Sequence, residues 1–131
     1  MKENIFELII IETNKEHLKI WEDYFLNKYR VKVFNRITGS LQNKTIFNNE
    51  TIFISQDVSN GRFFSKLTEN NIIFLVNDNY PINKLVRPDI NSNKDILLIK
   101  PVSLNKIDKL INDIKTNKSY ENNIFTIISL A

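Results

Sequence analysis

The sequence predicts an α/β fold with a five-stranded parallel sheet, doubly wound, its helices on both faces in a three-layer sandwich. Two observations carry the prediction. First, "FELIII", "NIIFLV" and "DILLI" are short and almost continuously apolar, as suits strands buried on both faces. Second, strand-like runs alternate with helical periodicity or turn residues five times over short connections, the pattern of a parallel sheet.

A chain of 131 residues, 42% hydrophobic, is one ordinary domain with enough apolar content to fill a core. The expected division is a domain over residues 1–118 and a tail or linker start over 119–131, whose "IFTIISLA" is apolar behind a polar spacer, 118–123. There is no run of apolar residues long enough to span a membrane, and Glu3, Glu7 and Glu12 interrupt the first apolar stretch, unlike a signal peptide. The absence of cysteine excludes disulfides and thiolate metal sites and fits a reducing cytoplasm. The net charge of +3 is spread among acids without a run of like charges, which argues against nucleic acid as a partner.

In chain order, residues 6–11 form the first strand, which ends at Glu12. Thr13 and Glu16 have capping-box spacing, and Leu18, Trp21, Phe25, Leu26 and Tyr29 recur at three and four residues as the apolar stripe of a helix. "RVKVF" alternates as a second strand. The Asn-rich segment 35–50 is the least readable, with "SLQNKTIF" able to hold a short helix. "TIFIS" is a third strand, followed by the loop "QDVSNG" and a short helix over 62–69 with Phe63, Phe64 and Leu67 inward. After the fourth strand, 71–76, Pro81 and Pro88 restrict any helix between them to a short one.

The fifth strand carries the sharpest local signal. In "DILLIKPVSLNKIDKLI" a buried run ends on Lys100, and Pro101, which lacks a ladder N–H, stops the strand. Ser103 then caps a helix with Leu104, Ile107, Leu110, Ile111 and Ile114 on one face. Ligands of open parallel sheets bind beyond the carboxyl ends of the strands. There the chain delivers Glu12 and Thr13, Ser55 to Asp57, Val76 to Asp78, and Lys100 with Pro101. No glycine-rich phosphate loop follows any strand.

This order of elements, and above all "LLIKP" ahead of an amphipathic helix, resembles the receiver domain of two-component response regulators, of flavodoxin-like fold, over roughly residues 5–116. In that family an acidic pair ends the first strand and helps to hold Mg²⁺, and an aspartate after the third strand accepts the phosphoryl group. A hydroxyl ends the fourth strand. The lysine before a usually cis proline reaches the phosphoryl oxygens. Carried over by position, Glu12 and Thr13 stand for the acidic pair, Val76 and Asn77 for the end of the fourth strand, and Lys100 with Pro101 for the lysine corner. The acceptor position falls on Asp57 or on Gln56, depending on the register of the third strand. Thr13 lacks a carboxylate and Val76 lacks a hydroxyl.

The resemblance therefore implies a degenerate, pseudo-receiver signalling domain of a bacterial phosphorelay, cytoplasmic and without enzymatic activity beyond, at most, autophosphorylation on aspartate. No cofactor is expected, or Mg²⁺ at Glu12 and Asp57 if the site is active. The implied partners are other signalling proteins, a histidine kinase or an output domain, and a possible homodimer. The family's partner face would here include Leu85, Val86, Ile107 and Leu110, some of which must be core.

Plainer readings stand beside these. Lys100 suits a solvated strand end, Glu12 the dipole of the first helix, and Asp57 a turn before Ser-Asn-Gly, while His17 is expected to face solvent. An active receiver phosphorylated on Asp57 is the alternative function. A flavin-type binder is disfavoured, because "ETNKE" is acidic where a phosphate would sit.

Overall fold

The computed structural model describes residues 7–43, 47–81, 86, 94–116 and 127–129. In chain order they form β1 (Glu7–Ile11), α1 (Lys15–Phe25), β2 (Arg30–Phe34), α2 (Gly39–Asn43), β3 (Ile52–Ser55), α3 (Gly61–Ser65), β4 (Asn71–Val76), β5 (Asp95–Ile99), α4 (Leu104–Lys115) and β6 (Ile127–Ser129). The sheet order is β2-β1-β3-β4-β5-β6, with every neighbouring pair parallel. The five expected strands are present. The apolar tail supplies a sixth, with Leu97, Leu98 and Ile99 of β5 opposite Ile127, Ile128 and Ser129.

Successive side chains of a strand point to opposite faces, and this sorts the core into two layers. Leu8, Ile10, Ile52, Ile54, Ile73, Leu75, Ile96 and Leu98 pack under α1 and α4. Ile9, Ile11, Phe53, Ile72, Phe74 and Val76 pack under α2 and α3, with Leu41, Phe63, Phe64 and Leu67. Helices thus cover both faces, and β3 and β4 are buried along their whole length. The second layer is aromatic. Phe64 meets Phe74 edge to face at 5.0 Å, and Phe53 meets Phe63 at 6.3 Å.

The buried stripe of α1 continues into the following turn as Trp21, Phe25 and Tyr29, steps of four residues. Leu26, expected in that stripe, is 54% exposed, because it sits one position past the buried Phe25 and turns away. The helix cap is also displaced from the expected Thr13. Asn14 is the N-cap, and its side-chain oxygen accepts from the backbone N–H of Glu16 at 2.9 Å and of His17 at 3.0 Å. α3 is shorter than the expected 62–69, although Leu67 beyond it is buried with Phe63 and Phe64. Ser103 caps α4 as expected, accepting from the Lys106 N–H at 3.1 Å.

Some residues of the expected partner face must be core, and three of them are. Val86, Ile107 and Leu110 are all buried, the latter two in the layer between α4 and the sheet. Helical periodicity marks an apolar face but does not say whether the sheet or a partner covers it, and here the sheet does. Leu85 and the short helix expected between the two prolines lie outside the described residues.

One polar cluster ties the turn after α1 to α4. Asp108, buried at 7% exposure, accepts hydrogen bonds from the Tyr29 hydroxyl at 2.7 Å and from Lys28 Nζ. Burial by itself would raise the Asp108 carboxyl. The hydrogen bonds from Lys28 and Tyr29 and the positive charges of Lys28 and Lys115 outweigh it and hold the pKa below the ordinary aspartate value. Burial, and then the Asp108 bond, push the Tyr29 phenol well above its usual range.

Candidate functional site

The carboxyl edge of the sheet gathers side chains by strand parity. Ile10, Ile54 and Leu98 face α1 and α4, so two residues further along, Glu12, Gln56 and Lys100 emerge on that same side. Lys100 stays in line because its N–H donates to the Val76 carbonyl at 2.8 Å, extending the β4–β5 pairing by one residue. The Lys100–Pro101 peptide is cis.

Gln56 is the centre of the arrangement. Its N–H is held by the Ile11 carbonyl at 2.9 Å, at the end of β1. Its side-chain oxygen accepts from Lys100 Nζ at 2.8 Å, and its side-chain nitrogen donates to the Thr13 hydroxyl. A lysine has only donors, so the amide oxygen must face it, and this fixes the nitrogen towards Thr13. The chain Lys100–Gln56–Thr13 therefore runs across the ends of β5, β3 and β1. It also explains the displaced cap, since the Thr13 hydroxyl is engaged away from the helix.

Asp57, of opposite parity, has a different role. Its Oδ1 accepts from the Ser59 N–H at 2.9 Å and from the Ser59 hydroxyl at 2.6 Å, the turn role open to an aspartate before Ser-Asn-Gly. Ser55 is fully buried, and its hydroxyl is satisfied locally by donating to the Asp57 carbonyl at 2.7 Å and accepting from the Asp57 N–H at 3.1 Å. A polar side chain thereby sits at an interior position without an unmet hydrogen bond.

Glu12 is 3% exposed, and its Oε2 accepts from the Asn14 N–H at 3.1 Å. It thus supports the start of α1 and lines the site at once. Val76 is buried, with Asn77 exposed beside it, and among the described residues the Asn77 side chain makes no hydrogen bond.

Two clefts open on either side of the Gln56–Lys100 bond. One, of about 510 Å³, lies between α1 and the corner from β5 to α4, with Glu12, His17, Ile20, Trp21, Pro101 and Leu104 on its walls. The other, of about 460 Å³, lies over β3 and β4 and is lined by Thr13, Asp57, Ser59, Val76, Asn77 and Tyr80. Glu12 and Asp57, the two carboxylates considered for a metal, line different clefts. Asp57 Oδ1 is already occupied by Ser59, and the side chain between them is a neutral amide. Among the described residues no group of three or more His, Cys, Asp or Glu side chains is placed to hold a metal ion. These residues do not fit a divalent cation.

The sequence indicated Glu12, Thr13 and Lys100 as site residues, and left Gln56 and Asp57 as alternatives. It did not indicate the cleft wall of His17, Ile20 and Trp21. The three share one face of α1 by their spacing, directly after Glu12, and that spacing was the available signal. His17 is exposed, as expected, and borders the cleft. Comparison with protein-family models, with curated proteins and with solved structures gave no match.

Proposed function

We propose that this chain is a receiver-like signal-transduction domain that works without aspartyl phosphorylation, through contacts with other signalling proteins such as a histidine kinase or an output domain, in the cytoplasm. The observation that carries the reading is the 2.8 Å bond from Lys100 to the Gln56 amide. In the receiver family that lysine reaches the phosphoryl group carried by an acceptor aspartate. Here its partner is an amide, whose oxygen cannot serve as the nucleophile that forms an acyl phosphate. Further support comes from Val76, which has no hydroxyl to offer a phosphoryl oxygen, and from Asp57, whose carboxylate closes its own turn.

The direct test is intact-mass spectrometry after incubation with acetyl phosphate and Mg²⁺, beside the Asp57→Asn variant and an active receiver as positive control. No adduct on the parent is expected. An adduct on the parent that is absent from the variant would overturn the reading and assign the acceptor role to Asp57.

A further inference from the structure

We propose that the cleft between α1 and the β5–α4 corner binds a small zwitterion with an apolar body, of the class of α-amino acids with a large hydrophobic side chain. The inference rests on the cleft alone and stands whether or not the domain is receiver-like.

The size is suitable, since about 510 Å³ lies within the roughly 300–1,000 Å³ usual for small-molecule sites. The walls are of two kinds. Ile20, Trp21, Val102 and Leu104 are apolar, and Ile20 is 55% exposed, a large aliphatic side chain left open at the mouth. Glu12 and Lys100, opposite in charge, line the same cleft.

These two charges do not pair with each other. Among the described residues Lys100 Nζ makes one hydrogen bond, to the neutral Gln56 amide, and no ion pair. Among the same residues Glu12 accepts one hydrogen bond, from the Asn14 N–H, and makes no ion pair either. A carboxylate offers about four acceptor positions, so Glu12 keeps acceptor capacity for a ligand. Gln56 engages the lysine ammonium at 2.8 Å and leaves Glu12 without it. A ligand with an ammonium for Glu12 and a carboxylate for Lys100 would meet both at once, and its side chain would cover Ile20 and Trp21. A purely apolar ligand would leave both charges unmet, and a simple anion would face the Glu12 carboxylate.

The test is isothermal titration calorimetry of the intact chain with L-tryptophan, L-phenylalanine and L-leucine. The controls are tryptamine, which lacks the carboxylate, indole-3-propionate, which lacks the ammonium, and glycine, which lacks the apolar body. Saturable one-to-one binding of the hydrophobic amino acids is expected, with each control weaker by about tenfold or more, the scale of one lost charged hydrogen bond for tryptamine and indole-3-propionate and of lost apolar burial for glycine. Glu12→Gln should weaken L-tryptophan by a similar factor and strengthen indole-3-propionate, whose carboxylate then no longer faces a like charge. Because the analogue series needs no substitution, it decides the matter even if that variant does not fold. No binding of any amino acid at millimolar concentration would overturn the proposal. So would equal affinity for L-tryptophan, tryptamine and indole-3-propionate.

Discussion

Lys100 Nζ donates to the side-chain oxygen of Gln56 at 2.8 Å, joining the carboxyl ends of β5 and β3 through a charge and a neutral amide. Both side chains are only half-buried. The bond therefore contributes little to stability and is better understood as fixing the position of the ammonium. Gln56→Glu keeps the reach and adds a charge. It should stabilise the fold at pH 7 by up to about 1 kcal/mol, as a partly exposed ion pair does. Pairing lowers the new carboxyl below its unfolded value of about 4.3, so the gain is present above that pH and disappears as the pH falls through the folded value. Urea midpoints of both proteins at pH 7 and pH 3 check the sign.

Asp108 is the common partner of Lys28 and Tyr29, and its removal leaves a buried phenol hydroxyl unpaired. Asp108→Ala should destabilise the chain by about 2 kcal/mol, the cost of an orphaned buried partner. Tyr29→Phe removes donor and hydrogen bond together and should cost less. Chemical denaturation of the two variants gives the order.

The same cluster predicts a two-sided pH dependence. The Asp108 carboxyl titrates below the ordinary aspartate value of 3.8, so its contribution is complete above that pH and is lost as acid protonates the folded state. The Tyr29 phenol titrates above the ordinary tyrosine value of 10.0, so its contribution is complete below pH 10.0 and is lost as alkali ionises first the unfolded and then the folded state. Lys28, also raised, by its Asp108 hydrogen bond, adds a loss on the alkaline side above 10.5. Asp108→Asn should flatten both limbs of stability against pH, measured by urea midpoints across the range.

The position of the α1 cap gives a fourth prediction. Asn14→Ala should cost about 1 kcal/mol, because two backbone N–H groups lose their acceptor. Thr13→Ala should leave helix capping intact and disturb only the contact with Gln56. Helicity by circular dichroism during urea denaturation separates the two.

β6 covers what would otherwise be the bare edge of β5. Truncation after Thr116 should speed hydrogen exchange of the β5 amides that face β6 and promote self-association through the exposed edge. Exchange rates and light scattering of the truncated chain test this.

The sequence made the strands and the Lys100 corner visible because buried parallel strands are written as short apolar runs and because Pro101 marks where one must stop. Other features depended on the third dimension. Gln56 and Asp57 could not be separated by local pattern alone, since Ser55 is polar at a buried position. What separates them is the pleat, which sends Gln56 towards Lys100 and Asp57 into its own turn. Thr13 and Asn14 are both good capping residues, and the contact of Thr13 with Gln56 is what leaves the role to Asn14. Ile107 and Leu110 belonged to a helical face whose covering, the sheet, is not written in the helix itself. The tail strand needed an unpaired edge before its apolar run had a place.

The central claim is that the edge carrying Gln56 and Lys100 does not receive a phosphoryl group. It is tested most directly by titrating the isotopically labelled chain with beryllofluoride, an acyl-phosphate mimic, and Mg²⁺ while following backbone amide signals. The account predicts no saturable shift at Gln56, Asp57, Asn77 or Lys100. A saturable shift at those residues that is abolished by Asp57→Asn would contradict it.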